Sequence, residues 1–193
     1  IISTHIQELL KEHASDILGR EELNQILDTV KKDYPNIVED VLADYKKVKI
    51  QKILHELLNE GVSIRDMITI METLSAHPSD TPVFDLVEYI RQGLKRVITT
   101  KFVDSNNKLH VLKFHPDIEN EIYRNMTAGP DGYPIVTLRP DALHALQNLI
   151  KEKVKEMFES GNPPVILCQP PVRRAIWSIC KPIHKNIAVI STR

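Results

Sequence analysis

The hydrophobic residues of this chain change their spacing once, near residue 97. Up to Leu94 they recur every three or four positions, which is the period of helices that bury one face. From Val97 onward, alternating stretches and short apolar runs predominate, as in β-strands. We therefore predict a mixed α+β and α/β fold class: an all-helical subdomain, then a small α/β subdomain with a mixed sheet.

Six helices are predicted before the change of period. Thr4 and Gln7 form a capping box for the first, which Gly19 can end, and Tyr34-Pro35 separates the second helix from the third. The apolar stripes span residues 6–18, 23–30, 37–42, 48–58, 64–74 and 83–94. Each stripe is expected to face a helical core.

A short connection, residues 61–66, joins the fourth predicted helix to the fifth. Gly61 can adopt the left-handed conformation that ends a helix, and Ser63 can cap the next one, with Asp66 completing a capping box. Arg65 would then lie in the first helical turn, where the helix dipole disfavours a positive charge. We therefore expect something other than helix stability to maintain Arg65.

After residue 97 we predict a β-hairpin over residues 97–114, with its turn at residues 104–107. A short helix follows His115-Pro116, and a strand follows the loop at residues 128–134. A long helix then begins at Pro140, with Leu149 and Phe158 among its inward residues. A buried strand, a helix and a second buried strand complete the chain, which predicts a crossover between parallel strands.

Composition argues against several classes of function. The formal net charge of −1 provides no excess positive field for nucleic acid. Aromatic residues make up only 5% of the chain, which disfavours base-stacking surfaces. Cys168 and Cys180 lack the spacing of metal ligands or of a disulfide framework, so we expect reduced, buried packing residues.

The sequence is also poor in catalytic motifs. It contains no glycine-rich phosphate loop, HExxH, CxxC or GxSxG. His110, His115 and His144 have no carboxylates at a spacing that suggests a shared site, and Glu119 with Glu121 resembles a solvated helix face. We expect no enzyme activity, no catalytic residues, no cofactor and no metal; a binding or assembly module fits better.

Three ordered stretches carry a specific resemblance. They are "STHIQELLKEHASDILGREELNQILD", "IQKILHELLNEGVSIRDMITIMETLSAH" and "DLVEYIRQGLKRVITTKF", and they closely resemble successive parts of the FlhA family, the export-gate proteins of flagellar type III secretion. The weaker runs "KLHVLKFHPDIENEI" and "PPVILCQPPVRRAIWSICKP" extend the resemblance over nearly the whole chain.

The resemblance implies a piece of a longer protein whose N-terminal half lies in the bacterial inner membrane. The C-terminal half of the family's proteins is cytosolic and has four subdomains. Residues 1–19 would be the last helix of a preceding subdomain, residues 20–96 a helical subdomain, and residues 97–193 an α/β subdomain. This chain would then lie at the cytoplasmic face of that membrane.

The resemblance also implies partners. Members of the family bind flagellar export chaperones with their substrates, contact other export-apparatus proteins including the ATPase complex, and form rings, commonly of nine subunits. By position, Thr4 matches a threonine of the chaperone-binding site, although a plain helix cap explains it equally well. Arg65 and Asp66 are candidates for an intersubunit contact, with a weak surface pair as the alternative.

Two other functions stay open on the sequence. The chain could belong to a virulence-type (injectisome) export gate, or be a protein-binding module unrelated to secretion. An enzyme ranks third, because an α/β subdomain can host chemistry at the ends of its strands. A pocket joining Arg173, His184 and a carboxylate would favour that third possibility.

Overall fold

The computed structural model describes residues 13–129 and 132–192. The chain divides into two compact units, Ile1–Ile98 and Thr99–Arg193. Helices make up the described part of the first unit, and the second contains helices and strands, which is the predicted fold class. Within the described residues, no helix is long and apolar enough to cross a bilayer.

The helices of the first unit follow the predicted order. They are α1 (Ala14–Ile17), α2 (Arg20–Asp33), α3 (Pro35–Asp44), α4 (Lys47–Asn59), α5 (Met67–Ser75) and α6 (Val83–Gly93), and α7 (Lys95–Thr100) crosses into the second unit. Pro35 begins α3 at its first position, because proline fixes a helical φ and needs no N–H partner there. The capping box at Thr4 lies outside the described residues.

The core of the first unit is built on α4 and α5. Ile53 and Leu57 of α4 and Met71 of α5 have no exposed surface, and burying each such side chain contributes about 1.5–3 kcal/mol. Helix α4 packs against α1 and α6, and α5 against α3 and α6. The stripe predicted as core on α5 is therefore confirmed at Met67, Met71 and Leu74.

The second unit contains two small sheets. Its elements are β1 (Leu112–Lys113), α8 (Pro116–Arg124), β2 (Met126–Ala128), β3 (Pro134–Val136), α9 (Pro140–Glu159), β4 (Val165–Cys168), a 3₁₀ turn (Pro170–Val172), α10 (Arg173–Cys180) and β5 (Ala188–Ser191). Strands β1, β4 and β5 form a parallel sheet in that order, which includes the predicted parallel pair, and β2 pairs with β3 antiparallel.

The β-strand predicted at residues 97–103 is wrong. Residues Lys95–Thr100 form α7 instead, and only an isolated bridge between Val103 and Leu109 remains of the hairpin. The Ile98 N–H donates to the Leu94 carbonyl at 2.9 Å, and the Ile98 side chain is buried. Packing therefore outweighs the strand preference of the β-branched residues, which is worth at most about 1 kcal/mol.

Helix α9 also departs from the prediction. Leu146, Ile150, Val154 and Met157 are buried, but Leu149 and Phe158, which were expected to face inward, are each 44% exposed. The buried stripe repeats every three or four residues and covers one side of the helix only. Leu149 and Phe158 lie one position from it and therefore remain at the surface.

Candidate docking and subunit-contact surface

The connection between α4 and α5 begins with a fixed helix end. Gly61 has a φ of 69°, and its N–H donates to the Leu58 carbonyl at 2.9 Å, while the Val62 N–H donates to the Leu57 carbonyl at 2.9 Å. These two bonds form a Schellman motif, which satisfies carbonyls at the end of the helix. Glycine is favoured at this position because a β-carbon would destabilise the left-handed backbone.

The predicted cap of α5 is wrong. Asp66, not Ser63, is the N-cap: its Oδ1 accepts from the Thr69 N–H at 3.1 Å, and its Oδ2 accepts from the Thr69 hydroxyl at 2.8 Å. Arg65 therefore precedes the helix instead of lying in its first turn. The dipole penalty that suggested an external role for Arg65 applies less directly, because the partial positive charge is concentrated on the N–H groups of the first turn.

A buried ion pair joins the end of α4, directly before this connection, to α6. Glu60 Oε2 lies 2.9 Å from Arg91 Nη1, and the two side chains are only 1% and 8% exposed. Leaving either charge buried without its counterion would be costly, so the pair holds the end of α4 against α6. Nothing in the sequence pattern links two charged residues so far apart, so sequence reasoning missed this contact.

These contacts make the connection a rigid base for an exposed cation. The Arg65 side chain is exposed, and its backbone N–H lies 3.4 Å from the Ser63 hydroxyl. Asp66 beside it is partly buried and engaged as a cap. The arrangement can present Arg65 to another molecule, whereas Asp66 acts locally. Thr4, the other predicted site residue, lies outside the described residues.

Three polar groups in the second unit differ from their predictions. His110 and His115 do have carboxylate partners: His110 Nε2 lies 3.0 Å from Asp104 Oδ2, and His115 Nδ1 lies 3.3 Å from Asp117 Oδ2. Asp104 Oδ1 also accepts from the N–H groups of Lys108 and Asn106, and the bond from Lys108, followed by that from His110, lowers the Asp104 pKa. Glu119 is not solvated but buried, and its Oε2 accepts from the Gln169 N–H at 3.1 Å.

The carboxylates of Asp104 and Glu119 both accept hydrogen bonds from backbone N–H groups. The Asp104 carboxylate closes the turn over residues 104–107, and the Glu119 carboxylate holds the backbone after β4. Within residues 13–129 and 132–192, no group of three His, Cys, Asp or Glu side chains could hold a metal ion. Cys168 and Cys180 are buried thiols, as predicted, and burial raises the pKa of the Cys180 thiol to about 12.

An apolar groove of about 550 Å³ lies along α9. Val154, Phe158, Ile183 and His184 line it, and the rings of Phe158 and His184 lie 5.0 Å apart. Arg173 does not line this groove; it is 1% exposed and directs Nη1 toward the Val189 carbonyl at 3.5 Å. The pocket of Arg173, His184 and a carboxylate that would have favoured an enzyme is therefore not formed at this groove.

Flagellar biosynthesis proteins are among the relatives of this chain. FlhA of Treponema pallidum is 36% identical over 194 residues, and FlhA of Borreliella burgdorferi is 43% identical over 192 residues. Each alignment covers 99% of this chain but only 27% of the relative. The chain thus spans about a quarter of the length of the curated relatives that it matches.

Solved structures share the fold. The nonameric EPEC SctV-C, solved by cryo-electron microscopy, superposes with a TM-score of 0.85 at 27% identity, over 99% of this chain and 57% of that one. The Chlamydia pneumoniae CdsV and CdsO complex superposes with a TM-score of 0.83 at 28% identity, over 98% and 56% of the two chains. The model of the FHIPEP family matches residues 1–193, and the chain therefore belongs to that family.

Proposed function

We propose that this chain is part of the cytosolic docking platform of a flagellar type III protein export gate. In this role it binds export chaperones with their substrates during flagellum assembly and contributes to a ring of gate subunits. The observation that carries the proposal is the match of 99% of the chain to flagellar FlhA proteins at 36% and 43% identity.

The ring is supported by the likeness to SctV-C, which was solved as a nonamer. A chain with the same fold, placed in its longer protein, would repeat its surface contacts around such a ring. Arg65 is our candidate for one of these contacts, because it is exposed on the rigid connection between α4 and α5. Asp66 is the weaker candidate of the two, since its carboxylate already caps α5.

The proposed partners extend beyond other copies of the chain. The complex of CdsV with CdsO supports binding to another component of the export apparatus, which includes the ATPase complex. The flagellar relatives support export chaperones carrying substrates. The chain would work at the cytoplasmic face of the inner membrane, joined to it by N-terminal segments of the longer protein, with no nucleic acid, cofactor or reaction of its own.

An injectisome gate is the second candidate. It is favoured by structural likeness to the cytosolic domain of EscV from the type III secretion system, with a TM-score of 0.81 at 26% identity. The flagellar relatives are more similar in sequence, which is why we rank the flagellar function first.

Exchange of this segment between export-gate proteins tests whether it belongs to a flagellar gate or to an injectisome gate. Residues 1–193 would replace the matching stretch of Bacillus subtilis FlhA, which is 33% identical over 193 residues. The matched control carries the equivalent stretch of EscV instead. We expect swimming motility from the first chimera and none from the second. Equal motility, or none from either when both proteins accumulate, would contradict the flagellar assignment.

A further inference from the structure

Positive charge is concentrated at one end of this nearly neutral chain. The 34 residues 160–193 contain five Lys or Arg residues and no Asp or Glu, although acidic residues outnumber basic ones in the chain as a whole. The net charge of the whole chain does not reveal this uneven distribution of basic and acidic residues. The segment includes α10, whose first turn carries Arg173 and Arg174 and no acidic residue.

Arg174, Trp177 and Lys181, together with Tyr133, form what we call the cation–indole stack. The Arg174 guanidinium carbon lies 4.3 Å from the centroid of the Trp177 ring and 4.9 Å from that of Tyr133. The Lys181 ammonium lies 4.8 Å from the Trp177 centroid. Trp177 in turn packs against the core of the second unit. The stack therefore fixes two long cationic side chains beside one partly buried indole.

Two features of the stack oppose stability. Arg174 lies in the first turn of α10, where the helix dipole disfavours a cation. Arg174 and Lys181 are also held on the same indole, so their charges repel each other. Within residues 13–129 and 132–192, no carboxylate lies within ion-pair distance of Lys181. A bound anionic partner would supply a counter-charge for Lys181.

We propose that the cation–indole stack binds an acidic, amphipathic helical segment of a partner protein. Arg174 and Lys181 are seven residues apart, which places their Cα atoms about 10 Å apart along the helix axis. A partner helix presents carboxylates with the same separation at positions i and i+7 of one face, with an apolar side chain between them for Trp177. An extended segment fits less well, because residues about 10 Å apart on a strand point to opposite faces.

Stacking also prepares the site for binding. Long cationic side chains ordinarily lose rotamer freedom when they engage a partner, and contact with the rings removes part of that freedom in advance. The inference names one chemical class of partner for the proposed docking role and rests on that role. It concerns residues other than Thr4 and Arg65, so a peptide measurement can fail while chaperone binding stands, and the reverse.

The probe is a fluorescently labelled, helix-forming peptide on an Ala and Gln background. It carries two Glu residues seven positions apart and Leu residues at the two central positions between them. Binding to the 193-residue chain is measured by fluorescence anisotropy at low salt. A peptide with Gln in place of both Glu residues is the control for apolar contact, and duplex DNA of equal charge is the control for general attraction to polyanions.

Three variants of the chain test the residues. Lys181→Glu and Arg174→Gln alter the stack, and Lys155→Glu on α9 makes the same change of net charge as Lys181→Glu at an exposed site of the second unit. We expect saturable binding of the acidic peptide that Lys181→Glu weakens about tenfold, and Lys155→Glu less than about twofold. Arg174→Gln should also weaken binding.

Several results would overturn the proposal. They are the absence of binding by the unmodified chain, equal losses from Lys155→Glu and Lys181→Glu, and equal binding of the Gln control peptide. Duplex DNA that binds as tightly as the acidic peptide, and equally depends on Lys181, would show a polyanion site instead. Circular dichroism of each variant verifies that a loss of binding does not reflect unfolding.

Discussion

Arg91 and Glu60 form a buried ion pair, with 2.9 Å between Arg91 Nη1 and Glu60 Oε2. Glu60 is the C-cap residue of α4, directly before Gly61, and Arg91 lies near the end of α6. The pair thus ties the rigid connection that bears Arg65 to a second helix. Any role of that connection as a contact surface depends on this anchoring.

Removal of one partner of the pair should destabilise the first unit. We expect Arg91→Met to lower the free energy of unfolding by about 3 kcal/mol or more, because Glu60 would remain buried without Arg91. The double variant Glu60→Leu with Arg91→Met should recover much of the loss, since it leaves no buried charge. Urea unfolding measures both variants and the single variant Glu60→Leu. If the loss of stability in the double variant equals the sum of the losses in the two single variants, the ion pair is not the cause.

Two variants distinguish the contribution of Asp66 as the cap of α5 from the contribution of its negative charge. Asp66→Ala should cost about 1 kcal/mol in the free energy of unfolding, because the Thr69 N–H loses its side-chain acceptor. Asp66→Asn keeps an acceptor oxygen and should retain most of the stability. Equal destabilisation by the two variants would show that the negative charge, and not the cap, is what matters.

Cys180 should be unreactive while the protein is folded. Burial raises its pKa to about 12 from the ordinary value of 9.0, so almost no thiolate exists near pH 8. Alkylation by iodoacetamide at that pH, followed by mass spectrometry, should modify Cys180 in urea but not in buffer.

The same shift makes stability depend on pH. Between the unfolded and folded pKa values only the unfolded thiol loses its proton, so the contribution of Cys180 to stability falls as pH rises above about 9. In the alkylation experiment described above, fast modification of Cys180 in the native protein would contradict its burial.

Arg65→Ala should weaken ring formation in a protein that carries the complete cytosolic half. An exposed ionic contact is worth about 0.2–1 kcal/mol, and a ring repeats this loss at every interface. Lys32→Ala is the matched control, since it removes an exposed cation from α2 of the same unit. Multi-angle light scattering measures the assembly. Unchanged assembly with Arg65→Ala, or an equal loss with Lys32→Ala, would reject Arg65 as a ring contact.

Local chemistry made much of the fold predictable. Tyr34-Pro35 and Gly61 mark helix ends because each restricts or permits particular backbone angles independently of the rest of the chain. The apolar runs of β4 and β5 likewise predicted buried parallel strands. Such signals act over a few residues, which is the range that sequence patterns cover.

Most of the wrong predictions concern positions whose structure depends on residues far away in the sequence. The β-branched residues Val97 and Ile98 resemble a strand, but packing of Ile98 keeps α7 helical. Glu119 reads as a surface carboxylate, yet it is buried and bonded to Gln169, which lies 50 residues away. The Glu60–Arg91 pair and the cation–indole stack with Tyr133 also need the fold to bring their members together. The wrong cap of α5 is instead a local error, because Asp66 and not Ser63 begins that helix, and the ring contact at Arg65 stays a prediction.

Calorimetric titration of a flagellar chaperone–subunit complex tests docking most directly. The complex is injected into the 193-residue chain and, in parallel, into a protein with the complete cytosolic half. We predict saturable binding to both, with a loss of affinity in the 193-residue chain when Thr4 is changed to Glu. Binding to the longer protein alone, or to neither, would contradict the claim that this chain carries a docking surface.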